Sequence, residues 1–304
     1  MGGAEGLGST KQELFDSDGN SRGFYSPRNR LNDLTGKEWL YWTRSVINRP
    51  YPPSCQHRLR NQHGGQKPPE LCADLIRVFS KQGQRVLDPF AGVGGTLLGA
   101  AMAERQAFGI EINPRWIAIY REVCRLEGLT EMPVAEGDAA ALLAGVDGGV
   151  WQGAGSEGEQ VDLILTDVPY WHMDVAPRST GTFKRVGEPA RPAAASSLAA
   201  FGDPTASVGK DEWLALMRAV FIGAVQRLRD GGYLLTFIGD MYFAGEYHCL
   251  SAELANVLRT LPGLTWQANL VWYDVSKKLH IYGYQYRYIP SLVHQNVLVF
   301  RKSG

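Results

Sequence analysis

The chain carries no net charge. Its 304 residues include 31 Lys plus Arg and 31 Asp plus Glu. Attraction of a polyanion by the molecule as a whole is therefore excluded, and an anionic partner has to be met by a local patch. Cysteine is scarce. Cys55, Cys72, Cys124 and Cys249 are scattered without paired spacing, which excludes a disulfide framework and a Cys-based metal site. With no signal peptide in view, these thiols are expected to be reduced, in a cytoplasmic protein. No apolar run approaches the roughly 20 residues that a helix needs to cross a bilayer. The opening "MGGAEG" lacks the Ser or Thr of a myristoylation signal at its sixth position.

What remains is ordinary globular composition, 44% hydrophobic and 20% charged, enough for one large domain. Residues 1–32 are rich in Gly, Ser and Asn and are expected to be flexible. From residue 33 to 304 the pattern predicts a single α/β domain. Residues 33–47 suggest a short amphipathic helix, and 48–70 are turn-rich with extended Pro segments. "RVLDPF", "AFGIEI", "PVAEGDA", "VDLILTD" and "YLLTFIGD" read as strands, alternating with helices. One helix, "KDEWLALMRAVFIGAVQRLRDGG", is expected to end at Gly231-Gly232. "TWQANLVWYD" and "HQNVLVFRK" close the chain as strands. Alternation of this kind predicts a mostly parallel sheet with helices on both faces.

The strand tips carry the chemistry. "VLDPFAGVGGT" (86–96) follows a strand and opens a helix, where open parallel sheets bind ligands. Gly92 and Gly94 permit a tight turn close to a ligand. The dinucleotide fingerprint G-x-G-x-x-G fails, because residue 97 is Leu, which weakens a dehydrogenase reading. Asp88 ends the first strand, followed by Pro89 and Phe90. Glu111 ends the second, 23 residues later, where a carboxylate can accept from two ribose hydroxyls. Asp138 ends the third. Acids at such tips also serve as helix caps; three in succession fit an adenosine-type ligand without a phosphate clamp. The fourth strand ends in Thr166-Asp167-Val168-Pro169-Tyr170-Trp171.

Here a resemblance enters. "LDPFAGVGGT", "GIEINP", "EGDA" and the upstream "HGGQKPPEL" (63–71) resemble the motifs of the S-adenosylmethionine-dependent DNA amino-methyltransferases. The resemblance implies a Rossmann-like class I methyltransferase fold with a seven-stranded sheet whose last strand is antiparallel. It implies S-adenosylmethionine as cofactor, with Asp88 and the Gly turn at the methionine end, Glu111 at the ribose, and Asp138 at the adenine amino group. Lys67 and Pro68 would lie near the methionine moiety. No metal is implied.

The family carries Asp-Pro-Pro-Tyr or Ser-Pro-Pro-Tyr where this chain has Asp167-Val168-Pro169-Tyr170. An exocyclic amino nitrogen is a poor nucleophile, because its lone pair is delocalised into the base. A carboxylate from Asp167 and the carbonyl of residue 168 accept its two N–H bonds and aim the pair at the methyl; Tyr170 stacks on the base. Val168 keeps the carbonyl and loses only the fixed φ of proline. By the resemblance, Asp at this position implies adenine N6 ahead of cytosine N4, where the family more often has Ser. The absence of a Pro-Cys dipeptide argues against carbon-5 chemistry.

Base chemistry in double-stranded DNA requires the target base to be flipped out. Trp171, Lys277, Lys278, Tyr282, Tyr284 and Arg287 are the candidate nucleic-acid contacts. Residues 276–290 interleave basic and aromatic side chains, the composition of a nucleic-acid surface and equally of a tyrosine-rich hairpin packed on the sheet edge. Inserts at about 172–210 and 241–290 are the candidate DNA-recognition elements, since no large recognition domain follows the last strand. A restriction endonuclease partner belongs to the same expectation. RNA or protein amino-methyltransferases, and an inactive nucleic-acid-binding homologue, remain the alternatives.

Overall fold

A computed structural model of the chain describes residues 11–145, 160–171, 209–279, 281 and 285–304. The insert at 172–208, and Tyr282 and Tyr284, lie outside the described residues.

The centre is one sheet. Its strands are β3 (Val46–Ile47), β4 (Arg85–Asp88), β5 (Gln106–Glu111), β6 (Val134–Glu136), β7 (Val161–Asp167), β8 (Leu228–Ile238), β11 (Leu264–Tyr273) and β12 (His294–Lys302). They lie in the order β3-β11-β12-β8-β7-β4-β5-β6. Neighbours pair in parallel except β12, which runs antiparallel to both β8 and β11. The expected seven strands are there. The eighth, β3, is a two-residue edge strand paired with Val271 and Trp272.

Strand order reverses between β4 and β7. From β4 the chain moves outward through β5 to β6; from β7 it moves the other way to β8. Such a switch point leaves a crevice beyond the carboxyl ends of the two strands, because their connections depart in opposite directions. The tips at this crevice are Asp88 and Asp167.

Alternation along the strands sorts the core into two layers. Val86, Leu163, Leu165, Leu235 and Phe237 face one apolar cluster, with Leu71, Leu75 and Ile76 of α3 (Pro69–Phe79), Leu97 and Leu98 of α4 (Gly95–Met102), and Trp116 and Tyr120 of α5 (Pro114–Glu127). Leu87, Ile164, Leu234 and Ile238 face the other, with Trp213 and Phe221 of α7 (Lys210–Arg227) and Leu250 and Leu254 of α8 (Leu250–Leu258).

Three expectations change. Residues 11–25 form a hairpin, β1 (Gln12–Phe15) with β2 (Ser21–Tyr25), so the expected flexible segment is ordered in this part. Its turn is closed by the Asp16 carboxylate, which accepts the amides of Asp18 and Asn20. Arg22 then ties it to Glu38 of α1 (Gly36–Trp42), whose N-terminus is closed by a capping box between Thr35 and Glu38. That helix is shorter than the pattern over 33–47 suggests. The third change is at α7, which ends at Arg227. Gly231 and Gly232 sit inside β8, because Leu228 already pairs with Val161 and Arg229 is held by Asp162.

Two short elements remain: α2 (His57–Arg60) and α6 (Ala139–Leu143). The region 241–290 is partly regular: a hairpin of β9 (Met241–Phe243) and β10 (Glu246–His248), then α8 and β11. No described helix is long and apolar enough to cross a membrane.

Candidate active site

The turn after β4 is built around close approaches. Gly94 has φ +77°, and a side chain there would strike the Tyr120 ring. Gly95, the first residue of α4, comes so close to Lys67 that a Cβ would lie 3.1 Å from the Lys67 carbonyl oxygen. Gly94 thus shapes the turn from behind and does not itself line the cleft.

Asp88 is buried. Its carboxylate accepts from Thr166 Oγ1 at 2.5 Å and from the Phe90 amide at 3.0 Å. Burial pushes its pKa up to about 6, against the pull of these donors. Glu111, at the tip of β5, accepts the Gly92 amide at 2.7 Å and the Asn113 amide at 2.8 Å, one on each oxygen. Burial raises it to about 7. Each oxygen keeps a second lone pair for a ligand hydroxyl. Asp138 caps α6, where one carboxylate oxygen accepts from Ala140 and Ala141.

Two lobes meet above these tips. The larger is an open cleft between Phe90, Ile110, Glu111, Ile112, Gly137 and Ala139, and ends at Asp167, Val168 and Pro169. The smaller, also open to solvent, includes Lys67, Asp88, Gly95, Thr96 and Asp167. His63, Phe90, Gly92 and Asp167 belong to both. Pro68 lines a separate cleft with Arg49, Tyr51, His57 and Trp272. The donor set fits S-adenosylmethionine. The larger lobe offers apolar walls to a purine and a carboxylate to a ribose diol, and its described lining holds no Lys or Arg to clamp a phosphate. The smaller brings together the carboxylates of Asp88 and Asp167, which would suit a positively charged group.

Asp167 ends β7, and burial raises its pKa. Lys67 forms an ion pair with its Oδ2, and Tyr170 donates its hydroxyl to Oδ1 at 3.1 Å. Val168 turns its side chain into the apolar layer below, at 2% exposure. The Trp213 indole donates to the Pro169 carbonyl at 2.7 Å. That bond occupies the Pro169 acceptor and fixes the loop against α7, while Val168 stays at the cleft wall.

The residue match is clearest over the N-terminal third. Residues 18–122 match the family model described as DNA methylase. This part of the chain is similar to that family. The matched residues span β4, the Gly turn and β5, and include the strand-end acids Asp88 and Glu111. Among curated relatives, the chain is 32% identical over 107 residues to the tRNA (guanine(10)-N2)-dimethyltransferase of Methanothermobacter thermautotrophicus, covering 35% of this chain and 28% of that protein. It is 34% identical over 88 residues to the Type II methyltransferase M.BglI of Bacillus subtilis, covering 29% and 24%. The chain thus spans about a quarter of the length of these relatives. The crystal structure of TrmN from Thermus thermophilus aligns over 81% of this chain and 52% of that one, with a TM-score of 0.48 and 19% identity.

The candidate contacts beyond the cleft divide. Trp171 packs inward at 9% exposure, its ring edge-on to Phe243 and His248; that burial removes it from the expected nucleic-acid surface. Lys278 and Arg287 are exposed, as are Tyr286 and Tyr288 at 91% and 89%. This exposure does not fit a tyrosine-rich hairpin packed on the sheet. Lys277 reaches the Leu292 carbonyl at 3.4 Å. Sequence reasoning missed His63, which packs on Trp116 and borders both lobes. It also missed Thr166 and Trp213, whose roles lie across strands and layers.

Proposed function

We propose that the chain transfers a methyl group from S-adenosylmethionine to the exocyclic amino group of a flipped base in DNA, adenine N6 ahead of cytosine N4. The observation that carries this reading is the position of Asp167. It stands at the switch point, borders both lobes, and is followed by Val168, which lines the larger lobe.

The bound cofactor supplies an electrophilic methyl on a positively charged sulfur. Everything else falls to the chain. Glu111 holds the ribose, and the apolar walls take the adenine. Asp167 accepts one N–H of the target amino group and the Val168 carbonyl accepts the other, which localises the nitrogen lone pair along the line of transfer. Tyr170 must turn its hydroxyl away from Asp167 for its ring to lie on the base. For the methyl it gains, the amino nitrogen releases one proton, and Asp167, raised by burial, is the adjacent base that passes it to water.

The adenine preference rests on Asp at position 167 by family resemblance. The similarity to the Type II methyltransferase M.BglI favours DNA as the substrate, and a restriction endonuclease partner is part of the proposal. The similarity to the tRNA dimethyltransferase favours a second reading, in which the same site acts on a guanine amino group in RNA. A cytoplasmic location is part of the proposal. The test is methyl transfer from S-adenosylmethionine to unmethylated genomic DNA and, in parallel, to unmodified tRNA, with nucleosides resolved by mass spectrometry. N6-methyladenine in DNA is the expected product. N2-methylguanosine in tRNA alone would move the activity to RNA. No product on either, with cofactor binding intact, would overturn the methyl-transfer reading for both.

A further inference from the structure

We propose that Lys67 is a positioning residue for Asp167, holding that carboxylate ionised and in one orientation in the reacting cleft. This extends the methyl-transfer reading and rests on it. It also moves Lys67 from the cofactor's methionine end to the base-activating carboxylate.

The geometry is specific. The two residues are 100 positions apart in the chain, yet the Lys67 ammonium pairs with Asp167 Oδ2 and also donates to the Gly65 carbonyl at 3.3 Å. Lys67 is 5% exposed. Its stem runs between aromatic rings, with the ammonium 5.4 Å from the Phe237 centroid and 5.8 Å from that of Tyr170. Its backbone is clamped. Arg60, itself 1% exposed, donates to the Lys67 carbonyl at 2.6 Å. On the other side Gly95 leaves room for that carbonyl, where a Cβ would make a tight contact of 3.1 Å. Pro68 and Pro69 then fix the chain into α3. A flexible side chain has been given a rigid base.

The fold has little use for such a pair. Burying two charges costs as much desolvation as the attraction returns, and an apolar pair of similar shape is often as stable. The catalytic need is definite. With Oδ2 accepting from Lys67, target recognition by Asp167 requires that Oδ1 also be an acceptor, and a protonated carboxyl offers a donor on one of its oxygens. Burial, and the loss of hydration that goes with it, favour that protonated form. The groups that oppose them are Lys67 from the segment before α3, Tyr170 from the same loop, and Lys277 from the segment after β11. Of the two cations, only Lys67 is in contact. An ammonium in contact with a carboxylate lowers its pKa by about 1 to 3. The Lys67 bond also leaves Oδ1, where the Tyr170 hydroxyl is displaceable, as the oxygen offered to the base.

The test is a carbon-13 NMR titration of the Asp167 carboxyl in the cofactor-free protein, assigned with Asp167→Asn. Replacing Lys67 by Met is expected to raise the titration midpoint by about one pH unit or more, at least a tenfold change in the protonation constant. Lys67→Arg, which keeps the charge, is expected to hold the midpoint near that of the native chain. The acidic limb of kcat/KM should move with the midpoint, while the dissociation constant for S-adenosylmethionine stays within about threefold, less than the tenfold that 1.4 kcal/mol represents. If Lys67→Met does not fold, Lys67→Gln against Lys67→Arg gives the same comparison. Identical midpoints in the native and neutralised chains, with weakened cofactor binding, would return Lys67 to the cofactor and overturn the proposal. Failure of methyl transfer in the native chain would sink the broader reading and leave this titration unchanged.

Discussion

The tips of β4 and β7 are neighbours built alike and used differently. Each ends in an aspartate with a proline close behind, Asp88-Pro89 and Asp167-Val168-Pro169. Asp88 is taken out of water, and Asp167 keeps a partly exposed side chain. Asp88 meets neutral donors, the Thr166 hydroxyl and the Phe90 amide; Asp167 meets an ammonium and a phenol. Neutral donors fix geometry and leave much of the burial penalty standing. A contacting cation offsets the penalty and keeps the charge. The first arrangement suits a carboxylate that shapes a binding loop, the second one that must stay an acceptor while a base arrives.

The comparison breaks most sharply at Asp167. Asp167→Ala should cut methyl transfer about a thousandfold or more, the scale for losing a positioned electrostatic group, with cofactor affinity unchanged by calorimetry. A transfer rate within tenfold of native would end its separate role. At the other tip the split should invert. Asp88→Asn should weaken S-adenosylmethionine binding by about ten- to a hundredfold, as expected for a hydrogen bond to a charged group, and leave the turnover of the saturated enzyme comparatively intact.

A third measurement uses the acid at the next tip. Glu111 has a folded pKa of about 7, above its unfolded value of about 4.3. Folding therefore takes up a proton between these limits, and the resulting stabilisation is complete below about pH 4.3 and lost as pH rises through 7. Melting temperature of the cofactor-free protein should fall from pH 5 to pH 8. Glu111→Gln should flatten that fall by an amount on the order of 2 kcal/mol, though Asp88 retains its own share. A slope unchanged by the substitution would show that Glu111 ionises normally. The smallest effect is expected from Trp213→Phe, which removes the donor to the Pro169 carbonyl and keeps most of the packing. Loss of one buried hydrogen bond, about 1 kcal/mol, should lower kcat roughly five- to tenfold without altering cofactor affinity. A drop in cofactor affinity instead would mean that the two tips are not separable.

Much of the fold was legible because strands and helices here follow their periodicities closely. β12 spans the nine residues of "HQNVLVFRK", and α3 begins at the Pro69 that suits a first helical turn. The hairpin at 12–25 was not legible. Its ordering depends on Arg22 reaching Glu38 and Thr35 reaching the Arg22 carbonyl, and a Gly- and Ser-rich composition gives no hint of either. The end of α7 misled for a related reason. Gly231-Gly232 is a good local stop signal, but pairing of Leu228 with β7 pre-empts it. In the candidate site, Asp88, Glu111 and Asp167 were found as strand-end acids because a tip position has a sequence signature. Thr166 and Trp213 were not, since each acts on a partner in another strand or layer.

The sequence by itself determined that a parallel sheet would form, that its tips would carry acids, and that the fourth tip would end in Asp-Val-Pro-Tyr. These are local properties, written in runs of apolar residues and in what interrupts them. Tertiary structure alone decided that Asp88 and Asp167 would stand side by side at a reversal of strand order. It also decided that Trp171 would turn inward and that a lysine from before α3 would meet the carboxylate at the end of β7. Pairing of that kind depends on strand order and on how closely Gly95 lets the Lys67 backbone approach, and neither is a property of any one segment.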